Sequence, residues 1–185
     1  MKTGVRAVGI AESTQGNVST LAGVVVRADR TVDGLSFATC TVGGSDATDA
    51  VVETFERLGR EDVRYVVLAG IALAWYNVVD LRAVADAVDR PVLSVTFEAS
   101  PGLEPAIEEA FDGEERERRL ALYRRQPPRT PVEVNGETVY VRAVGVDDSE
   151  ARDVVRAFTP EGGRPEPLRV ARFAARAGDA LRRAE

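Results

Sequence analysis

The chain has 185 residues, 44% of them hydrophobic, and a formal net charge of −6. That supplies one sizeable core and is cramped for two, so a single domain over residues 1–185 is expected. Histidine is absent, Cys40 is the sole cysteine and Lys2 the sole lysine, which excludes intramolecular disulfides, thiolate or imidazole zinc sites, Ser-His and Cys-His nucleophile pairs, and a P-loop or Schiff-base lysine in the body of the domain.

In chain order, Arg6–Ile10 and Thr20–Arg27 read as strands rich in β-branched residues, separated by a polar loop from Glu12 to Ser19. Asp29-Arg30 leads to a third strand, Thr31–Val42, and the three suggest an antiparallel meander. Gly43-Gly44-Ser45 breaks the pattern. Ser45 or Asp46 can then cap a helix whose apolar positions Val51, Val52, Phe55 and Leu58 fall at helical spacing, and Gly59 closes it. Val63–Leu68 is a continuous apolar strand of the kind covered on both faces. Asp80 can cap a second helix, Leu81–Val88, and Pro91–Phe97 is a fifth strand. Leu103–Phe111 and Glu114–Arg125 look helical, with Pro127-Pro128 ending the second. Asn135-Gly136 between alternating apolar residues predicts a hairpin over Val132–Val141. Asp147 or Asp148 starts a helix through Phe158, and a last helix runs to about Arg183. A meander continuing into βαβ crossovers is one layout of an α/β fold, and pattern alone does not choose among the folds that share it.

The catalytic vocabulary left is Asp, Glu, Arg, Tyr and Ser, so any metal would be held by oxygen, which suits Mg²⁺ or Mn²⁺. No apolar run approaches the ~20 residues needed to span a bilayer, and residues 1–6 lead directly into a strand. A soluble cytoplasmic protein with no membrane partner is expected. The acidic, arginine-biased composition resembles that of proteins from salt-loving archaea, although a GC-rich genome gives a similar bias.

Four stretches together resemble an archaeal family of proteins related to endonuclease V: Val8-Gly-Ile-Ala-Glu12, Gly43-Gly-Ser-Asp-Ala-Thr48, Val67-Leu-Ala-Gly-Ile71 with Tyr76-Asn-Val-Val-Asp80, and Pro165-Glu-Pro-Leu-Arg-Val-Ala171. The resemblance implies an RNase H-like mixed sheet flanked by helices, and descent from enzymes that use Mg²⁺, held by converging carboxylates, to cut nucleic acid beside a damaged or deaminated base. It also implies three departures. Relatives have Gly-Ile-Asp-Asp where this chain has Gly9-Ile10-Ala11-Glu12, Leu-Asp-Gly where it has Leu68-Ala69-Gly70, and endonuclease V has Arg-Leu-Ala-His where it has Arg169-Val170-Ala171-Arg172. Ala11 and Ala69 thus stand at expected carboxylate positions, and Arg172 at the expected His.

Four acids are candidate replacements. Glu12 follows Ala11 and can substitute for it only if the strand ends or bulges there, since successive residues point to opposite faces. Asp46 and Asp49 could supply a helix-borne carboxylate, or serve as an N-cap and a helix-dipole charge. Asp80 matches the family motif and also caps a helix. Trp75 and Tyr76 could stack on a base or pack against the adjoining loop or helix, and Asn77 could bond a base edge or cap the turn. Residues 164–185 hold six arginines against three acids, and Arg169, Arg172 and Arg176 share a helical face that could meet a phosphate backbone. The expected function is an endonuclease V-like protein with a degenerate nuclease site, no cofactor, and retained binding of RNA, DNA or nucleotide. Two alternatives are an active Mg²⁺- or Mn²⁺-dependent endonuclease using Glu12, Asp46, Asp49 and Asp80, and a partner-binding scaffold.

Overall fold

The computed structural model describes residues 1–184. Strands β1 (Arg6–Gln15), β2 (Val18–Arg27) and β3 (Val32–Thr41) form the predicted meander. The segment read as a loop after Glu12 is instead strand: β1 pairs with β2 without a register shift from Arg6↔Arg27 to Gln15↔Val18, leaving only Gly16 and Asn17 as the turn. Ladder pairing here overrides the weak local preference of Glu12, Ser13 and Thr14.

Helix α1 (Ala47–Glu56) leads to β4 (Val63–Leu68), which pairs parallel to β1. A two-strand ribbon, β5 (Ala72–Leu73) and β6 (Asn77–Val78), precedes α2 (Leu81–Val88), and β7 (Val92–Thr96) pairs parallel to β4. Helices α3 (Glu104–Ala110) and α4 (Gly113–Arg124) follow. The Asn-Gly hairpin is formed by β8 (Thr130–Val134) and β9 (Glu137–Val144), with Asn135 and Gly136 at φ 52° and 82° as a left-handed two-residue turn requires. It extends the sheet, because β9 pairs antiparallel to β7. Helices α5 (Asp148–Ala157) and α6 (Glu166–Arg182) complete the chain. The seven-stranded order is β3-β2-β1-β4-β7-β9-β8.

Strand alternation sorts the core into two layers. Val8, Ile10, Val66 and Leu68 face α1 and α2, meeting Ala50, Val51, Leu81 and Val84. Ala7, Tyr65, Val67, Leu93 and Val95 face the other way, toward Val154 and Val155 of α5 and Leu168 of α6. Helix α6 crosses β1 so closely that a Cβ on Gly9 would lie 2.3 Å from the carbonyl carbon of Pro167. Only glycine permits that approach.

Both edges of the sheet are guarded. Along β3, the guanidinium of Arg57 donates to the Phe37 carbonyl, that of Arg60 to the Asp33 carbonyl, and Asp46 accepts from the Thr41 amide at 3.1 Å. Edge strand β8 carries Pro131, which has no amide to offer.

Candidate nucleic-acid interface

In open α/β sheets, ligands collect beyond the carboxyl ends of parallel strands. Here the parallel pairing of β1, β4 and β7 stops at one rim, at Ile10, Leu68 and Ser94, with the Ala69 amide donating to the Ile10 carbonyl at 3.0 Å. Ala11 is 3% exposed and packs with Val24, Val26 and Ala171, and half-buried Ala69 leans on the same cluster. Arg172, one residue past Ala171, lines a cleft together with Ala69. Two methyl groups and a guanidinium offer no oxygen ligand, so these three positions do not fit Mg²⁺ or Mn²⁺. Among the described residues, no three Cys, Asp or Glu side chains are grouped so as to hold a metal ion.

The candidate replacement acids do not gather around Ala11, and three of them are engaged elsewhere. Because β1 runs unbroken through residue 12, Glu12 points to the α1 face, opposite to Ala11. It accepts from Thr14 Oγ1 at 2.7 Å, from the Ala74 amide at 2.9 Å and from the Ser19 hydroxyl. Asp46 precedes α1 but makes no side-chain cap. It turns back to accept from Thr41 Oγ1 at 2.8 Å and from Asn77 Nδ2 at 2.6 Å. Burial pushes the Asp46 carboxyl up, yet the bonds from Asn77 and Thr41 outweigh it and leave it below the usual carboxylate range. Asp49 is exposed in the first turn of α1. Asp80 caps α2, accepting from the Arg82 and Ala83 amides, and pairs with Arg125 at 2.5 Å. Its carboxyl, raised by burial, is carried below the usual range by Arg125 and the two amides.

The β5–β6 ribbon presents the aromatics. Ala74, Trp75 and Tyr76 lie at φ 43°, 57° and 59°, three consecutive non-glycine residues in the left-handed region, a costly conformation that persists only when its surroundings hold it. Ala74 is held by the Gly43 amide, which donates to its carbonyl at 2.7 Å, and by Glu12; Tyr76 is held by Arg119, 4% exposed, which donates to the carbonyls of Gly43 at 2.6 Å, Gly44 at 3.0 Å and Tyr76 at 3.2 Å, and lies 3.9 Å over the Phe111 ring. Phe111 in turn packs against Trp75 at 5.1 Å and Tyr76 at 6.2 Å. Trp75 remains 56% exposed. Asn77 differs from the sequence reading. It is fully buried, its amide donating to the Thr41 carbonyl and Asp46 and its oxygen accepting from the Ala47 amide, so it latches the end of β3 to α1 and has no edge free for a base.

The cleft beside Ala69 encloses about 470 Å³ and is lined by Arg129, Arg142, Arg164 and Arg172, with Glu98 as its carboxylate. Among the described residues none of these arginines has an acidic partner. Three are oriented by aromatic rings instead: Arg129 over Tyr140 at 4.8 Å, Arg142 over Tyr123 at 5.3 Å and Arg164 over Phe97 at 3.8 Å. Arg129 also donates to the Ser100 carbonyl at 2.7 Å and to Thr96 Oγ1 at 3.3 Å, and Arg142 to the Pro127 carbonyl and, at 3.3 Å, to Tyr123 Oη. Burial lowers the pKa of Arg142, and so does neighbouring Arg129, while Tyr123 acts in the opposite direction. Burial lowers that of Arg164, with Arg172 adding to the effect. A concave site that sets four guanidiniums without an acidic partner against the single carboxylate of Glu98 is suited to receive an anion.

Of the helical arginines read from sequence, Arg169 is paired with Glu166 at 2.6 Å, Arg172 enters the cleft, and Arg176 is exposed. Sequence reasoning missed Arg129 and Arg142 and counted Arg164 only in a basic tail. These residues come from separate elements, and no spacing rule links them.

The Endonuclease dU family model matches residues 3–178. A UPF0215 protein of Pyrobaculum calidifontis is 37% identical over 170 residues, covering 90% of this chain and 92% of its own. A crystal structure from Archaeoglobus fulgidus superposes with TM-score 0.83 at 26% identity, over 94% of this chain and 97% of that one. Endonuclease V of Ciona intestinalis, solved with DNA containing an inosine followed by a ribo-adenosine, superposes with TM-score 0.63 at 12% identity, over 98% and 87%. The fold is thus the RNase H-like fold of endonuclease V, and the chain belongs to the archaeal Endonuclease dU family.

Proposed function

We propose that this protein is an endonuclease V-like member of its family whose metal-dependent nuclease site has degenerated, and that it binds nucleic acid or nucleotide through the same strand-end surface. The observation that carries the reading is the combination of Ala11, Ala69 and Arg172 at the rim with the adjoining cleft, where four arginines outnumber the one carboxylate, Glu98. Converging carboxylates repel one another until a cation joins them, whereas this surface is cationic and attracts phosphate. Exposed Trp75 and half-buried Tyr76, held by Arg119 on the same rim, supply rings on which a base can stack. Arg172 and Arg176 extend the positive surface along α6. No helix among the described residues is long and apolar enough to cross a membrane, in keeping with a cytoplasmic role in a salt-adapted archaeon.

The family description favours the active endonuclease as the second reading. That reading needs Glu12, Asp46 and Asp80 to leave the partners described above and converge, with exposed Asp49, on Mg²⁺ or Mn²⁺. Purified protein incubated in high KCl, with either metal, with uracil- and inosine-containing RNA and DNA separates the two. No cleavage, with retained binding, is expected. Metal-dependent cleavage abolished by Glu12→Ala or Asp46→Ala would overturn the degenerate-site reading, and loss of all binding would favour a protein-binding scaffold.

A further inference from the structure

The four cleft arginines approach from opposite faces of the sheet. Register places Ser94 opposite Arg142 and Thr96 opposite Tyr140, so these side chains share one face, where Arg142 meets Tyr123 of α4 and Arg129 rests on Tyr140. The intervening Leu93, Val95 and Val141 point to the other face, into the layer covered by α5 and α6. On that side Arg164 rests on Phe97, which packs against the same layer, and Arg172 projects from α6. Within each pair the charges sense one another, Arg129 acting on Arg142 and Arg172 on Arg164. Ala69 and Gly70, just past the end of β4, line the same cleft.

Building on the nucleic-acid reading above, we propose that the cleft holds one nucleoside with a phosphate on each side, Arg129 and Arg142 taking one phosphate and Arg164 and Arg172 the other. Charge supports two anions over one. Four guanidiniums and Glu98 sum to +3, so for an internal nucleotide a single phosphodiester leaves +2 in a partly dehydrated cleft and a second brings it to +1, while the two terminal phosphates of a free bisphosphate, at about −2 each, offset the whole of it. Size agrees, since about 470 Å³ lies within the roughly 300–1,000 Å³ of sites that enclose a small molecule. That space is too small to seat a double helix and ample for one nucleotide unit. Ser94 and Thr96 add hydroxyls on one side, and Ile71 and Leu103 an apolar wall. The chemistry has two sources, a free nucleoside 3′,5′-bisphosphate or an internal nucleotide of a single strand.

The test titrates the full chain, at one fixed salt concentration because phosphate binding is salt-dependent, with thymidine, its 3′- and 5′-monophosphates, its 3′,5′-bisphosphate, and single-stranded and blunt duplex oligonucleotides. The bisphosphate is expected to bind at least about tenfold more tightly than either monophosphate, the order of effect of a charge-assisted contact. Arg172→Ala should weaken one monophosphate and spare the other, and Arg129→Gln should do the reverse. Tyr140→Leu, which removes the ring beneath Arg129, probes the same half if Arg129→Gln is poorly folded. Competition by the single strand assigns the source to nucleic acid, and bisphosphate binding without such competition assigns it to the free nucleotide; either supports the two-phosphate site. Both variants weakening the same monophosphate, or a bisphosphate no better than a monophosphate, would overturn the inference. Oligonucleotide binding that persists in that case leaves the nucleic-acid reading standing, and loss of all binding sinks both.

Discussion

Restoring carboxylates to the rim tests whether Ala11 and Ala69 occupy a former metal position. The variant is Ala11→Asp/Ala69→Asp in an Arg172→Ala background, so that no guanidinium competes with a cation. Residue 11 is 3% exposed among Val24, Val26 and Ala171. An uncompensated charge there should cost about 3–5 kcal/mol, and a second carboxylate beside it adds repulsion. Both carboxyls should therefore have raised pKa values in the folded state. The sign follows: below about pH 3.9 the groups are protonated in folded and unfolded chains alike and the penalty vanishes. It grows as pH rises and is complete above the raised folded values. Mg²⁺ bridging the two carboxylates would oppose it. With a Kd of about 1 mM, about 10 mM Mg²⁺ contributes about 1.4 kcal/mol, or a rise of about 3–6 °C in Tm for a chain of this size. Thermal melts at constant ionic strength, at pH 4 and pH 8, with Mg²⁺ or extra K⁺, measure both effects. A variant whose Tm ignores Mg²⁺ at pH 8, or an unmodified protein that responds equally, would refute the assignment of these positions.

Gly9→Ala drives a Cβ into the Pro167 carbonyl group and should destabilise the fold by about 1–3 kcal/mol or more, visible in urea denaturation as a lowered midpoint. Asp80→Ala removes the α2 cap and the Arg125 pair, a loss of about 1–2 kcal/mol near neutrality. Because the folded Asp80 carboxyl is lowered, this contribution is present above the unfolded pKa of about 3.9 and disappears as pH falls through the folded value. The difference in Tm between the two proteins should shrink accordingly in acid. Burial, with Asp46 and Glu12 nearby, pushes the Cys40 thiol up to about 12, so a thiol-reactive dye at pH 8 should label it only on unfolding. Rapid labelling of the native protein would contradict its buried placement.

Elements fixed by local chemistry were legible in the sequence. Asp80 before Leu81, Asn135-Gly136 between alternating apolar residues, and the continuous run Val63–Leu68 each carry their own instruction, and the structure follows them. The polar end of β1 was not legible, because its strand character comes from ten paired positions with β2 and not from Glu12, Ser13 and Thr14 themselves. Nor was the turn at Ala74–Tyr76, whose left-handed backbone is held by Glu12, Gly43 and Arg119, all more than thirty residues away in the chain. At the rim, resemblance located Ala11, Ala69 and Arg172. The cleft arginines escaped notice because four separate segments bring them together only in the folded chain. Asn77 was open between a base contact and a turn cap, because a polar residue in a loop-like stretch does not announce that it is buried as a latch.

The guarded edge of β3 bears on how such a molecule stays dispersed. At low ionic strength, copies carrying −6 each repel one another at a distance. In molar salt the screening length falls to about 3 Å, and that protection ends within a single hydration layer. Leu35 and Phe37 on this strand are exposed and invite contact. What then keeps two sheets from zipping together is local and indifferent to salt: Arg57 and Arg60 already occupy the carbonyls that an incoming strand would seek. Replacing both is expected to open this edge to strand pairing and to raise light scattering as salt is added.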